Sequence, residues 1–304
     1  MDQNNPQKPI GADRAAGPRD FDPGCVKRRF EDLQYGTLPE QTCDLYLPET
    51  GNGPFPLIID LHGGAWCVGS KRQCNMECVL GALDHGYAIL CVEYRLAPKT
   101  KFPEFLFDVK TAVRFARANA EKYMLDPARF IALGDSAGGH LALMTGFTAG
   151  RPEYEGEKYG YAGVSSEVQA VVDFFGPAVL NDKSAEWLKE NGIMDVEYCG
   201  IGPQGATMMD KILPFISTDV DMLPLVSPIA YVHKDIPPVL IMHGEIDYIV
   251  PVQNSTLLAE RIREVCGPER VDLRLFPDRT HEDRAFMTDE TCDAVVEFLD
   301  RYMK

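Results

Sequence analysis

Short, continuous apolar runs alternate along the chain with longer segments of helical spacing. Leu57-Ile58-Ile59-Asp60-Leu61-His62, Tyr87 to Tyr94, Arg129 to Leu133, Val168 to Phe175, Pro238 to His243 and Val271 to Phe276 read as buried strands. Glu104 to Tyr123 reads as an amphipathic helix, with Phe105, Val109, Ala112, Val113 and Ala116 on one face. Asn75 to His85, Ser136 to Thr145, Gln253 to Cys266 and Asp289 to Met303 fit further helices. Ahead of these, Phe30 to Gly36 and Thr42 to Leu47 read as two strands joined by a turn around Leu38-Pro39-Glu40. Apolar strands that alternate with helices predict an α/β fold, with a parallel sheet covered on both faces.

Two stretches break the pattern. Residues 1–25 are polar and rich in Pro and Gly, and read as a flexible arm ahead of a catalytic domain at 26–304. Between Pro177 and Pro237 the chain is irregular, and its first part, 177–221, reads as a lid insertion over the strand ends. No run of 18 apolar residues occurs, and the arm has no apolar signal-like core, so a cytoplasmic protein without a membrane span is expected.

Composition adds limits. The 304 residues are 45% hydrophobic, enough for a sizeable core. A formal net charge of -16 disfavours nucleic acid and anionic membrane surfaces as partners. Nine cysteines, an odd number without a CxxC, several inside apolar runs, read as reduced core residues. Cys74 and Cys78 are one helical turn apart but have no second pair nearby, so no metal is expected. Nothing calls for a cofactor, and the composition is compatible with a homo-oligomer.

The candidate chemistry starts at Gly134-Asp135-Ser136-Ala137-Gly138-Gly139. An apolar run ends at Gly134 and a helical segment begins at Ser136, so the serine stands at a sharp strand-to-helix turn. Gly-x-Ser-x-Gly is not diagnostic alone, because a serine hydroxyl needs a base to act as a nucleophile. His281 lies in the polar loop after the last strand, on the sheet edge that the elbow shares. Asp247, with Glu245 as the alternative, comes after the strand ending at Met242 and would orient the imidazole. The loop His62-Gly63-Gly64-Ala65-Trp66 comes after an earlier strand. Its Gly63, Gly64 and Ala65 N–H groups, with that of Ala137, are the candidate oxyanion donors. Trp66 has two readings, a wall of the substrate pocket or a core aromatic under the loop, and is carried forward as substrate-binding.

Together these motifs resemble the α/β-hydrolase esterases, in the branch holding the bacterial feruloyl/acetyl (BD-FAE-like) esterases and the hormone-sensitive-lipase-like enzymes. The matching residues are His62 to Trp66, Glu93-Tyr94-Arg95-Leu96-Ala97-Pro98, Gly134 to Gly139, and His243 to Asp247 with Val250-Pro251. Gly-Gly-Ala-Trp in the glycine loop, where the hormone-sensitive-lipase-like pattern has a third glycine, tilts the likeness to the feruloyl/acetyl group. The resemblance implies an eight-stranded, mostly parallel sheet and a Ser136-Asp247-His281 triad working through an acyl-enzyme. It implies oxyanion donors at Gly64, Ala65 and Ala137, and a scaffold pairing of Arg95 with Asp108. The implied substrates are short acyl esters, acetyl or feruloyl groups on plant carbohydrate among them. An arylformamidase or other amidase, and a ligand-binding protein without activity, are the alternatives.

Overall fold

The apolar runs assemble, in the computed structural model, into one eight-stranded sheet. The structure describes residues 22–73, 77–180, 216 and 223–304. The strands are β1 (Arg29–Gln34), β2 (Thr42–Tyr46), β3 (Phe55–Leu61), β4 (Ala88–Val92), β5 (Leu125–Asp135), β6 (Ala170–Phe174), β7 (Val239–Gly244) and β8 (Val271–Phe276), in the order β1-β2-β4-β3-β5-β6-β7-β8. β2 pairs antiparallel with β1 and with β4, and every other pairing is parallel. The carboxyl ends of β3 to β8 therefore share one edge of the sheet, where ligands bind in open α/β sheets.

Four long helices cover the faces: α1 (Glu104–Ala118), α2 (Ala137–Phe147), α3 (Gln253–Cys266) and α4 (Asp289–Met303). Leu57, Ile59 and Leu61 of β3 pack with side chains of α1, α2 and α3, whereas Ile58 joins the layer under α4. This two-sided burial is why the central strands read as unbroken apolar runs. α2 is buried along its whole length, so it carries no polar stripe and its end could not be read from periodicity. α1 stops at Ala118, short of the expected Tyr123. Asn119 turns its side-chain amide back to the Phe115 carbonyl (2.8 Å), a local bond that competes with further helix.

Arg95, just past β4, forms a forked pair with Asp108 of α1, with Nη2–Oδ1 at 2.7 Å and Nε–Oδ2 at 2.8 Å. Gln41, before β2, donates to the same carboxylate (2.6 Å), so one buried acid ties the antiparallel strands to the helix layer. The Asn75 to His85 helix is represented, over its described part, by a short α-turn at Glu77–Leu80 and a 3-10 turn at Gly81–His85. Asn75, Cys74, residues 1–21 of the arm, and 181–215 and 217–221 of the expected lid lie outside the described residues.

β5, α2 and β3 meet at one crossing. A Cβ on Gly138 would lie 1.8 Å from the Leu61 carbonyl oxygen, and one on Gly134 would lie 2.4 Å from the Gly138 carbonyl carbon. Both obstacles are backbone and cannot rotate away. Gly138→Ala should therefore destabilise the protein by roughly 2–4 kcal/mol, since overpacking here must move a strand or a helix. Denaturant unfolding measures this, and an unchanged midpoint would contradict so close an approach.

Candidate active site

Ser136 caps α2 with φ 51° and ψ −116°, a strained conformation for a residue with a side chain. Its N–H donates to the Phe174 carbonyl (2.8 Å), which fixes the elbow against β6. Positive φ recurs around this edge at Ala65, Trp66, Phe175 and Glu282. Most of the strained non-glycine backbone thus lies in the loops that surround Ser136.

His281 Nε2 is 3.0 Å from Ser136 Oγ, and His281 Nδ1 is 2.6 Å from Asp247 Oδ2. A carboxylate only accepts, so Nδ1 carries the proton and Nε2 presents a lone pair to the serine hydroxyl. All three residues are buried, Ser136 and Asp247 being 8% exposed and His281 3%. Asp247 Oδ1 accepts the N–H groups of Ile249 (2.8 Å) and Val250 (2.9 Å). His243 Nε2 lies 3.2 Å from Asp247 Oδ2 and 2.9 Å from the Val250 carbonyl, both acceptors, so it donates. Ser255 of α3 then serves His243 Nδ1 (2.6 Å). Burial alone would raise the Asp247 carboxyl, but the hydrogen bonds from His243 and His281 outweigh it and hold the acid well below the usual carboxylate range. Glu245, the alternative acid, is exposed.

The glycine loop corrects two sequence expectations. Gly63 cannot serve an oxyanion, because its N–H is already donated to Asp135 Oδ1 (2.9 Å). The N–H groups of Gly64 and Ala65 have no partner among the described residues, and that of Ala137 is in the first turn of α2, where helical donors are unpaired. The Gly64 carbonyl accepts from Cys67 and Val68 (3.0 Å each), turning the loop tightly. Trp66 does not wall a pocket: it is fully buried in the core, edge-on to His140 with centroids 5.2 Å apart. The successive left-handed residues Ala65 and Trp66 turn the indole downward while the loop backbone stays at the surface.

Three supporting residues escaped the sequence. His243 belongs to a matching motif, but nothing in the sequence marks it as a second donor to Asp247. Phe175, at φ 45°, packs its ring against His281 with centroids 4.7 Å apart, and nothing in a continuous apolar run marked it. His140, one helical turn after Ser136, donates Nε2–H to the Val226 carbonyl (2.7 Å). Burial, against the pull of that carbonyl, pushes its imidazole down to about 4. It links α2 to the chain at Val226.

Two further acids lie close to the elbow. Asp173 of β6 accepts the Gly176 N–H (2.9 Å) and is fully buried; burial pushes its carboxyl up to about 7. Asp60 of β3 lines a small cavity with Asp135, Phe174, Phe175 and Phe286. Burial first, and then the charge of Asp135, push it up to about 8.

This strand order, with a serine at the β5 elbow and a histidine after β8, defines an α/β hydrolase. The chain belongs to the BD-FAE family, whose profile matches residues 43–262. Among curated proteins it is similar to Esterase LipC of Mycobacterium tuberculosis (32% identical, covering 76% of this chain and 54% of LipC). It is also similar to the isoprenylcysteine alpha-carbonyl methylesterase ICME of Arabidopsis thaliana (25%, covering 84% and 57%). The chain spans about half the length of such relatives. Among solved structures, a truncated carbohydrate esterase from gut microbiota matches with TM-score 0.76 at 26% identity, covering 94% of this chain and 99% of that one. A bifunctional GH43-CE protein of Bacteroides eggerthii matches with TM-score 0.75 at 28% identity, covering 91% and 38%.

The raised carboxyls set a pH dependence of stability. A carboxyl whose folded pKa lies above its unfolded value keeps its proton in the folded state. Its stabilising contribution is complete below about pH 4 and is lost as pH rises toward 8. Asp60→Asn cannot ionise, so its stability relative to the unchanged protein should improve from about pH 4 to pH 8 and level off above that. Unfolding midpoints across that range test this, and a constant difference would refute it.

Proposed function

We propose that the protein is a serine carboxylesterase that hydrolyses short acyl esters through an acyl-enzyme. The observation that carries this reading is the hydrogen-bonded chain from Asp247 through His281 to Ser136 Oγ, at 2.6 and 3.0 Å. Ser136 Oγ attacks the ester carbonyl as His281 Nε2 takes its proton. The carbonyl oxygen becomes an oxyanion held by the N–H groups of Gly64, Ala65 and Ala137, the last aided by the α2 dipole. The carbon–oxygen bond to the alcohol breaks, and His281 returns the proton to the departing oxygen. Water then attacks the acyl-enzyme by the same route, freeing the acid and Ser136. Asp247 stays ionised throughout, holds the imidazole tautomer and stabilises the imidazolium.

The substrates proposed are acetyl or hydroxycinnamoyl esters of carbohydrate. Support comes from the family and from the likeness to a carbohydrate esterase along nearly the full length of both chains.

Ser136→Ala should abolish hydrolysis of p-nitrophenyl acetate, a loss of about a thousandfold or more, with the unfolding midpoint unchanged. A fluorophosphonate probe should label the unchanged protein at Ser136 only. Activity retained in the variant would sink the proposal, and faster turnover of an N-formyl arylamide than of the acetate would favour an amidase. The rate should also fall on acidification, because the base must be unprotonated to take the serine proton. A rate flat down to pH 4 would contradict a histidine base.

A further inference from the structure

Six large hydrophobic side chains are exposed among the described residues, and two of them stand on either side of Asp247. Ile246 is 59% exposed and Tyr248 61%, while Asp247 between them is buried. The loop that carries them is pinned. Glu245 N–H donates to the Phe276 carbonyl (2.9 Å) and Ile246 N–H to the Arg279 carbonyl (3.2 Å), two residues before His281. Below, Asp247 Oδ1 holds the N–H groups of Ile249 and Val250. A rigid loop therefore presents an aliphatic and an aromatic side chain to water beside the acid and base of the site. Core packing does not explain either one.

The chemistry fixes which part of a substrate passes over them. In the tetrahedral intermediate the carbonyl oxygen faces the Gly64-Ala65 loop after β3. The leaving oxygen must face His281 Nε2, because that nitrogen supplies its proton. β3 lies on one side of β5 in the sheet, and β7 and β8 lie on the other. The alcohol half of the ester consequently extends over the loops after β7 and β8.

We infer that Ile246 and Tyr248 form the leaving-group subsite and take alcohols with an apolar ring face, whether the CH face of a pyranose or an aryl ring. The inference rests on the esterase reading above and adds the part of the substrate recognised there. A tyrosine ring beside an aliphatic chain grips such a face by dispersion and needs no charge. A small acyclic alcohol gains nothing from it.

The test uses acetates that share one acyl group: ethyl acetate, phenyl acetate and a methyl xyloside acetate. Tyr248→Ala and Ile246→Ser should each lower kcat/KM about 3- to 10-fold on the ring-bearing acetates. Ethyl acetate should change by less than about 2-fold, and Tyr248→Phe, which keeps the ring, should keep the preference for ring-bearing acetates over ethyl acetate. A loss confined to the xyloside or to phenyl acetate supports the subsite and identifies its ring. Once the alcohol has left, the acetyl-enzyme is common to all three, so its deacylation rate should be the same in every variant. An equal loss on ethyl acetate, a changed deacylation rate, or no loss on any substrate would overturn the assignment. Failure of the unchanged protein to turn over any acetate would instead overturn the esterase reading, and the subsite with it.

Discussion

The site depends on one backbone contact, the approach of Gly138 in α2 to the Leu61 carbonyl at the end of β3. β3 ends in the glycine loop, and β5 and α2 meet at Ser136. The crossing therefore sets the distance between the Ser136 hydroxyl and the N–H groups of that loop. The strain at Ser136 and at Ala65 arises from forcing three backbone segments through so little space. Side-chain hydrogen bonds then finish what backbone packing begins: Asp135 holds Gly63, and the Phe174 carbonyl holds the Ser136 N–H.

Much of this was legible in the sequence because it is periodic or locally punctuated. The central strands are apolar runs interrupted by few polar residues, whereas β8 at the sheet edge is half-buried and not buried as expected, and α3 and α4 have the residue ranges that their amphipathic spacing indicates. Ser136, Asp247 and His281, the residues joined by hydrogen bonds at the site, each stand just past the carboxyl end of a parallel strand. Parallel strands put those ends on one edge, so strand direction and chain position were enough to bring the three together. Illegible features were those decided by three-dimensional competition for a partner. No spacing rule shows that the Gly63 N–H is consumed by a carboxylate 72 residues away. Nor does one show that two left-handed residues turn Trp66 into the core. His243 and Ser255 became meaningful only once β7 and α3 were seen to converge on Asp247.

The distribution of buried charge around the site obeys a similar logic. Asp247 is stabilised as an anion by two imidazoles and two backbone donors, whereas Asp60 and Asp173 have few donors and hold their protons far more tightly. Carboxyls of the same type, all within the loops and strands near Ser136, thus differ widely in their readiness to ionise. The fold keeps one full negative charge where it can stabilise an imidazolium. It also limits the number of negative charges near Ser136.

The anchoring of the chain on either side of residues 181–222 has a consequence for how such a protein can change over evolutionary time. Before residue 181, Asn254 Oδ1 accepts the N–H groups of Ala178 and Val179 (2.9 Å each), and the Leu180 N–H reaches Ser227. After residue 222, His140 holds the Val226 carbonyl and Tyr231 the Leu225 carbonyl. Both ends are therefore fixed by side chains that belong to the framework. The chain entering and leaving residues 181–222 is thus held by side chains of α2, α3 and the turn at Pro228–Tyr231. A change of sequence between these points need not alter the bonds that hold them.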